Sequence, residues 1–381
     1  MLGASFRNRI IVGIVISSLF VSLSYATQAT SDKISSYGQI RNLTSGRLHT
    51  DGRWIKNNAG EIIRLKGAAV FWKFEYCSSY SDYDPLSYSD EINETSLDLF
   101  ASTGANFIRL TVNGYLWYVK GAQKYMAAVD TVIGWCKQRN IMVVLDNHGW
   151  YNPDVNALYK PKAQMISELT EWEAFMVALA QRYVNESTVV GFDMLNEPGS
   201  EGYADLSVWR ANVMEVIRAI HAVDPSYLCF VEPLRSGTVI GAMDDFKNNP
   251  LPEPNIVYSA HNYYEWDYPW IDYAKNYGSG NFDVARQQLE QEYYARWINM
   301  IEANLPVINM ETGVYRDNST NPNWDVWEND SLTLYEKYKV SACWYPFDPD
   351  RQDSTLVSLL AADRETLTSV GTIWASHMNN I

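Results

Sequence analysis

The chain has 381 residues, enough for two average domains or one large barrel, and its 47% hydrophobic content supplies an ample core. Its 30 Lys and Arg stand against 45 Asp and Glu, a net charge of −15, with no basic block that could neutralise phosphates. That balance argues against nucleic acid as a partner. The 14 Trp and 26 Tyr are unusually many; a core can absorb many rings, but aromatic faces also suit flat, weakly polar sugar surfaces.

Arg7 and Arg9 precede an uncharged run over 10–23 and small residues ending at Ala26, the pattern of a cleaved secretory signal over residues 1–26. The alternative is an uncleaved anchor at the cell surface, but the run is shorter than the ~20 residues that span a bilayer. The expected protein is secreted, with no stable membrane partner once the signal is removed. Residues 27–45 are polar and read as a flexible lead, and residues 46–381 as a single catalytic-sized domain. Cys77, Cys136, Cys229 and Cys343 are widely spaced without a CxxC pair, which points to structural thiols and leaves room for one bridge.

Two short runs flank the turn-like Asn57-Asn58-Ala59-Gly60 and predict a hairpin leading into a first strand over 62–70, placed to cap the bottom of a barrel. A long polar stretch over 71–90 follows. Then helical and strand patterns alternate: helix 91–102 before strand 105–110, helix 124–138 before strand 141–146. Met165, Leu169, Trp172, Met176, Leu179 and Tyr183 recur at three or four residues, the stripe of a helix lying on a sheet, and lead into the apolar run 189–195. A helix carrying Val213, Val216, Ile217 and Ile220 precedes strand 227–231, and a Pro-rich loop precedes strand 256–260. Helix 284–303 leads to strand 306–310, helix 332–338 to strand 340–344, and a last helix covers 364–376. Eight such strands predict an α/β fold, a single-domain (β/α)8 barrel. An open doubly wound sheet is the competitor, but no glycine-rich phosphate turn follows the first strand.

In a barrel the active site is assembled from residues just past the strands' C-terminal ends. Read off in order these are Arg109; Asn147 and His148; Asn196 and Glu197; Glu232; His261 and Tyr263; Glu311; and Trp344. Three glutamates converge. Cleavage of a glycosidic bond needs two opposed carboxylates, one protonated to serve the leaving oxygen and one ionised to attack or to direct water. Spacing along the chain does not say which two of the three form the pair, and the chemistry needs neither metal nor cofactor.

With Asn196-Glu197-Pro198 as its most specific element, the chain resembles glycoside hydrolase family 5 from about residue 52 to 376 in the order and spacing of its strands. The resemblance implies that Glu197 is the acid/base, Glu311 the nucleophile, and Asn196 a donor to the sugar 2-hydroxyl. It leaves Glu232 without a role. Arg109, His148, His261, Tyr263 and Trp344 match supporting positions: Arg109 and Tyr263 would hold the nucleophile, and Trp344 would floor the subsite at the bond. It further implies a cis peptide at Trp344-Tyr345. One departure is Thr312, where the family often has an aromatic residue, followed by Gly313, which suits a tight turn.

The implied activity is retaining, endo-type hydrolysis of a β-1,4-glucan, with a polysaccharide or oligosaccharide as partner. β-Mannanase, exo-β-glucosidase and a non-catalytic carbohydrate-binding barrel are the alternatives; oligomeric state is left open. Trp117, Tyr118, Trp150, Tyr151, Trp266, Trp270, Trp324 and Trp327 follow strands; some of them must pack under long loops, and several exposed along a cleft would form stacking platforms for successive sugar rings. His49, His221 and His377 lack a constellation and read as structural or exposed. Asp82 and Asp84, or Asp348, Asp350 and Asp353, form acidic clusters without the glycine turn and closing Glu of an EF-hand calcium loop.

Overall fold

The computed structural model describes residues 47–70, 92–114, 117, 122–148, 162–199, 205–235, 239–264, 272–315, 322–348 and 356–379. The domain begins with a hairpin, β1 (His49–Asp51) and β2 (Trp54–Lys56), that turns at Gly52 with φ +55°. The tight turn is therefore at Gly52, not at Asn57–Gly60. The second site is also a turn, closed by Gly60 N donating to Asn57 O at 2.9 Å, and it returns the chain so that Ile62 bridges Lys56 antiparallel. Ile62 thus belongs to the hairpin. The hairpin lies beneath the barrel as expected: Thr50 N donates to Asn255 Oδ1 and Arg53 N to Asn304 Oδ1, both in turns that enter barrel strands from below.

Eight parallel strands close the barrel: β3 (Lys66–Val70), β4 (Phe107–Val112), β5 (Met142–Asn147), β6 (Val189–Asp193), β7 (Leu228–Val231), β8 (Ile256–Tyr264), β9 (Val307–Val314) and β10 (Ser341–Trp344). Each pairs with its chain neighbour, and β10 pairs with β3. The strands read as near-continuous apolar runs because helices cover them outside while side chains fill them inside. Each fully covered Val, Leu or Ile contributes roughly 1.5–3 kcal/mol. The outer layer comprises α1 (Glu94–Ser102), α2 (Ala122–Gln138), α3 (Lys162–Arg182), α4 (Leu206–Val223), α5 (Asp244–Asn248), α6 (Asp272–Gly278), α7 (Phe282–Tyr293), α8 (Asn299–Glu302), α9 (Trp324–Tyr338) and α10 (Ser369–His377).

On α3 the stripe residues Trp172, Met176 and Leu179 are buried, as is Tyr183 just past its end. The expected helix 284–303 is instead α7 and α8 joined through a π-helical turn, Tyr294–Ile298. The short α5 and α6 carry too few periodic apolar residues to be read from the sequence.

Backbone conformation separates the two ends of the barrel. Asn140, Asn255, Asn304 and Lys339, in the turns that lead up into β5, β8, β9 and β10, all have φ between +54° and +58°. Asparagine takes this left-handed conformation at little cost. At the opposite end Glu197 adopts φ +43°, where nothing about its side chain favours it.

Candidate active site

β6 is apolar up to Asp193 and ends there; Asn196 N still reaches across to Asn147 O at 2.9 Å before Pro198, which has no N–H to continue a ladder. Glu197 therefore leaves the sheet at the mouth, its side chain 31% exposed. Glu311 sits within the longer β9, its side chain only 4% exposed. His261 of β8 lies between them, with Nδ1 at 3.1 Å from Glu197 Oε1 and 3.4 Å from Glu311 Oε2. One donor atom from each of these three residues falls within 4.8 Å of the others. That spacing would also admit a metal ion, although Glu311 and His261 already have protein partners.

Arg109 is fully buried and organises the floor of the mouth. Its Nε donates to Asp193 Oδ2 at 2.9 Å, Nη1 to Glu311 Oε1 at 2.5 Å, and Nη2 to Asn196 Oδ1 at 2.9 Å. Nη2 also lies 3.1 Å from Asp146 Oδ1 and 3.4 Å from Glu232 Oε1. The Tyr263 hydroxyl donates a short hydrogen bond to Glu311 Oε2. His148 Nδ1 is 2.6 Å from Asp146 Oδ2, and its ring stacks on Tyr345 with centroids 6.4 Å apart.

One guanidinium cannot neutralise four buried carboxylates, so protons stay on some of them. Burial pushes Asp146 and Asp193 up to about 7 and Glu232 up to about 8, against the pull of Arg109 and His261. Glu311 goes the other way. Burial would raise it, but the charges of His261, Arg109 and His148 outweigh burial and hold it below its ordinary value. His261 is pushed down by burial yet held well above its ordinary value by the charges of Glu232 and Glu311.

Seven of the eight residues to which the resemblance gives a role, Arg109, His148, Asn196, Glu197, His261, Tyr263 and Glu311, are linked in this network. Trp344 ends β10 at 1% exposure, with Nε1 donating to Val357 O at 3.2 Å, and stands outside these hydrogen bonds. The cis peptide lies one bond later than expected, at Tyr345-Pro346, where the tertiary amide makes that isomer accessible. Gly313 is in β9 and not in a turn. A Cβ there would stand 2.6 Å from Tyr345 O and 3.1 Å from the Tyr263 ring, so close approach is what requires glycine. Thr312 is buried and accepts from Tyr335 Oη on α9 at 3.4 Å, away from the carboxylates.

Asp146 and Asp193 are the participants that sequence reasoning passed over, and Glu232, read from the sequence as a strand-end glutamate without a role, joins them in the network. Their signal was a carboxylate inside or at the end of an apolar strand, where an acid is costly unless it is paired.

Of the expected platforms, Trp327 is buried and stacked on Tyr264, and Trp117 packs on Phe175 with centroids 5.5 Å apart; both are packing residues. Trp324 opens α9, half-buried. Tyr118, Trp150, Tyr151, Trp266 and Trp270 lie outside the described residues, as do Cys77, Asp82, Asp84, Asp350 and Asp353. Asp348 is buried. Cys136, Cys229 and Cys343 are buried free thiols. His221 and His377 pair with Tyr227 O and Glu336, as structural residues do.

Comparison with known proteins bears on the family and the fold. The family model for cellulase (glycosyl hydrolase family 5) matches residues 63–351. Endoglucanase C of Acetivibrio thermocellus is 25% identical over 202 residues, covering 49% of this chain and 55% of that protein. Endoglucanase G of the same species is 24% identical over 87% of this chain and 70% of its own length. The chain thus spans little more than half the length of the first of these relatives. Among solved structures, an endocellulase from Pyrococcus horikoshii superposes with a TM-score of 0.64 at 20% identity, over 87% of this chain and 98% of that one. A β-glucanase from Saccharophagus degradans, in complex with cellotetraose, gives 0.65 at 18% identity, over 87% and 93%. A match across most of the barrel, joined to a shared fold, fixes the kinship: the chain belongs to the cellulase family, glycosyl hydrolase family 5.

Proposed function

We propose that the chain is a retaining endo-β-1,4-glucanase in which Glu197 is the acid/base and Glu311 the nucleophile. The observation that carries this reading is the separation of the pair: an oxygen of each lies within 4.8 Å of the other across the mouth. Double displacement uses carboxyl groups ~5–5.5 Å apart, whereas an inverting enzyme needs ~6.5–9.5 Å to admit water between acid and sugar. Asymmetry of environment supports the division of roles. Glu311 is buried and held ionised by Arg109 and His261, as an attacking carboxylate must be; Glu197 is the more exposed and can exchange protons with water.

Glu197 gives its proton to the leaving glycosidic oxygen while Glu311 attacks the anomeric carbon. A water deprotonated by Glu197 then hydrolyses the glycosyl ester. Arg109 holds Asn196 Oδ1, which leaves the Asn196 amide nitrogen to donate to the sugar 2-hydroxyl. If Trp344 floors the subsite, its ring must be uncovered as substrate enters. The names of the relatives, and the cellotetraose bound to one structural neighbour, favour β-1,4-glucan over mannan. Export through cleavage after Ala26 belongs to the same reading, and sequencing of the exported protein should start at Thr27.

The test is release of reducing ends from carboxymethyl cellulose and from mannan by the wild type, Glu197→Ala and Glu311→Ala. Release from the glucan by wild type, reduced by at least about a thousandfold in both variants, is expected. No release by the wild type from either polymer would overturn the enzymatic reading.

A further inference from the structure

Glu232, at the end of β7, belongs to neither the proposed pair nor its matched supporting positions, yet it is fully buried beneath both. Its two oxygens are divided between the pair's supports. Oε2 accepts the backbone N–H of Glu197 at 3.1 Å, where the backbone beyond the end of β6 turns left-handed. Oε1 lies 3.0 Å from His261 Nε2, the far side of the imidazole whose Nδ1 faces Glu197 and Glu311. Its own carbonyl is fixed too, accepting from Trp209 Nε1 at 3.0 Å. Trp209 stacks on Trp172, whose Nε1 donates to Met194 O, three residues before Glu197. The ends of β6 and β7 are thereby clamped by one pair of indoles.

We propose that Glu232 is a positioning residue for the glycosidase reaction: its carboxylate holds His261 between Glu197 and Glu311 and pins the Glu197 backbone, so that one buried group sets the geometry of both reacting carboxylates. This rests on the assignment of Glu197 and Glu311 given above. A purely structural role would be satisfied by any acceptor of similar shape. A positioning role needs an ionisable acid as well, because Glu232, once it gives up its own proton near pH 8, leaves a carboxylate behind the imidazole, which then keeps its second proton to higher pH. The groups facing this pair are Arg109 from β4, Asp146 from β5 and His148 just past its end, Asp193 from β6, Tyr263 from β8 and Glu311 from β9, with Glu197 above. Arg109 opposes protonation of His261, whereas Asp146, Asp193, Glu197 and Glu311 favour it. Glu232 is the carboxylate that faces its second nitrogen.

Glu232→Gln keeps size and an acceptor but removes the charge, and Glu232→Asp keeps the charge on a shorter arm. With cellotetraose as substrate, Glu232→Gln should lower kcat about tenfold or more with KM changed less than about twofold, and shift the alkaline limb of the pH profile to lower pH by half a unit or more. Glu232→Asp should lower kcat but leave that limb within about 0.3 unit of wild type. Nitrogen-detected NMR of the His261 ring, which needs no substrate, should show its titration moved to lower pH in Glu232→Gln. An unchanged His261 titration, or an active wild type whose kcat and alkaline limb survive Glu232→Gln, overturns the inference while leaving the Glu197–Glu311 assignment standing. If Glu232→Gln does not fold, Glu232→Asp decides alone: wild-type kcat overturns the inference, and a lowered kcat with the limb held supports it. A wild type inactive on cellotetraose contradicts the proposed function, and the His261 titration still decides the role of Glu232.

Discussion

Glu311 is a buried carboxyl on which opposing electrostatic effects meet. Burial alone would leave it protonated and unreactive; Arg109, His261 and His148 hold it ionised, and the Tyr263 hydroxyl donates to its second oxygen. A hydrogen bond to the ionised form favours that form, so removing it raises the carboxyl's pKa. Tyr263→Phe should therefore lower kcat by about 10–100-fold and move the acidic limb of the pH profile to higher pH. An acidic limb that stays in place would mean that the hydroxyl does not support the nucleophile. The same electrostatics explain what could be read in advance. Glu197 and Glu311 stood out because each follows an apolar run and ends it. Asp146 and Asp193 did not, because nothing in one strand's sequence reveals that a guanidinium from another strand will neutralise it.

Among the elements, β6 and β9 place the pair, and each depends on a glycine for close approach. At Gly191 an added Cβ would stand 2.2 Å from Leu228 O, and at Gly313 it would meet Tyr345 O and the ring of Tyr263. Gly313→Ala should push Tyr263 off Glu311 and cost at least about tenfold in kcat while the far-UV circular dichroism stays native. Wild-type kcat with a native spectrum would show that β10 and Tyr263 yield without disturbing the site. Eight strands were legible because barrel strands are apolar runs separated by helical stripes. Element ends were less so. The run at 62–70 divides between hairpin and barrel because its first residues are apolar enough for either, and α9 begins eight residues before its expected start because its first turns are mostly polar. The hairpin turn fell at Gly52 because its left-handed φ closes a two-residue connection, whereas Asn57–Gly60 makes the looser second turn.

The whole molecule stores protons in its mouth. Asp146 and Asp193, near 7, and Glu232, near 8, all stand above their ordinary carboxylate values, and His261 is raised as well. For each, the folded state binds more protons than the unfolded chain between the unfolded and the folded pKa. Their stabilisation is fully present below the unfolded values and is lost as pH rises through the folded ones. Glu311 has the opposite sign, but its window lies below 4.5. The net charge of −15 adds self-repulsion in the same direction as pH rises. The thermal midpoint should accordingly fall on the order of 5 °C between pH 5 and pH 8.5, read by calorimetry at constant ionic strength. A midpoint that rises over that interval would show that the buried carboxylates are ionised throughout.

The claim on which the rest depends is that Glu197 and Glu311 act by double displacement. Proton NMR of the first product formed from cellotetraose, recorded before mutarotation, tests it most directly. The β anomer should appear first, with the α signal growing in later; α-first product would mean inversion and would contradict Glu311 as nucleophile.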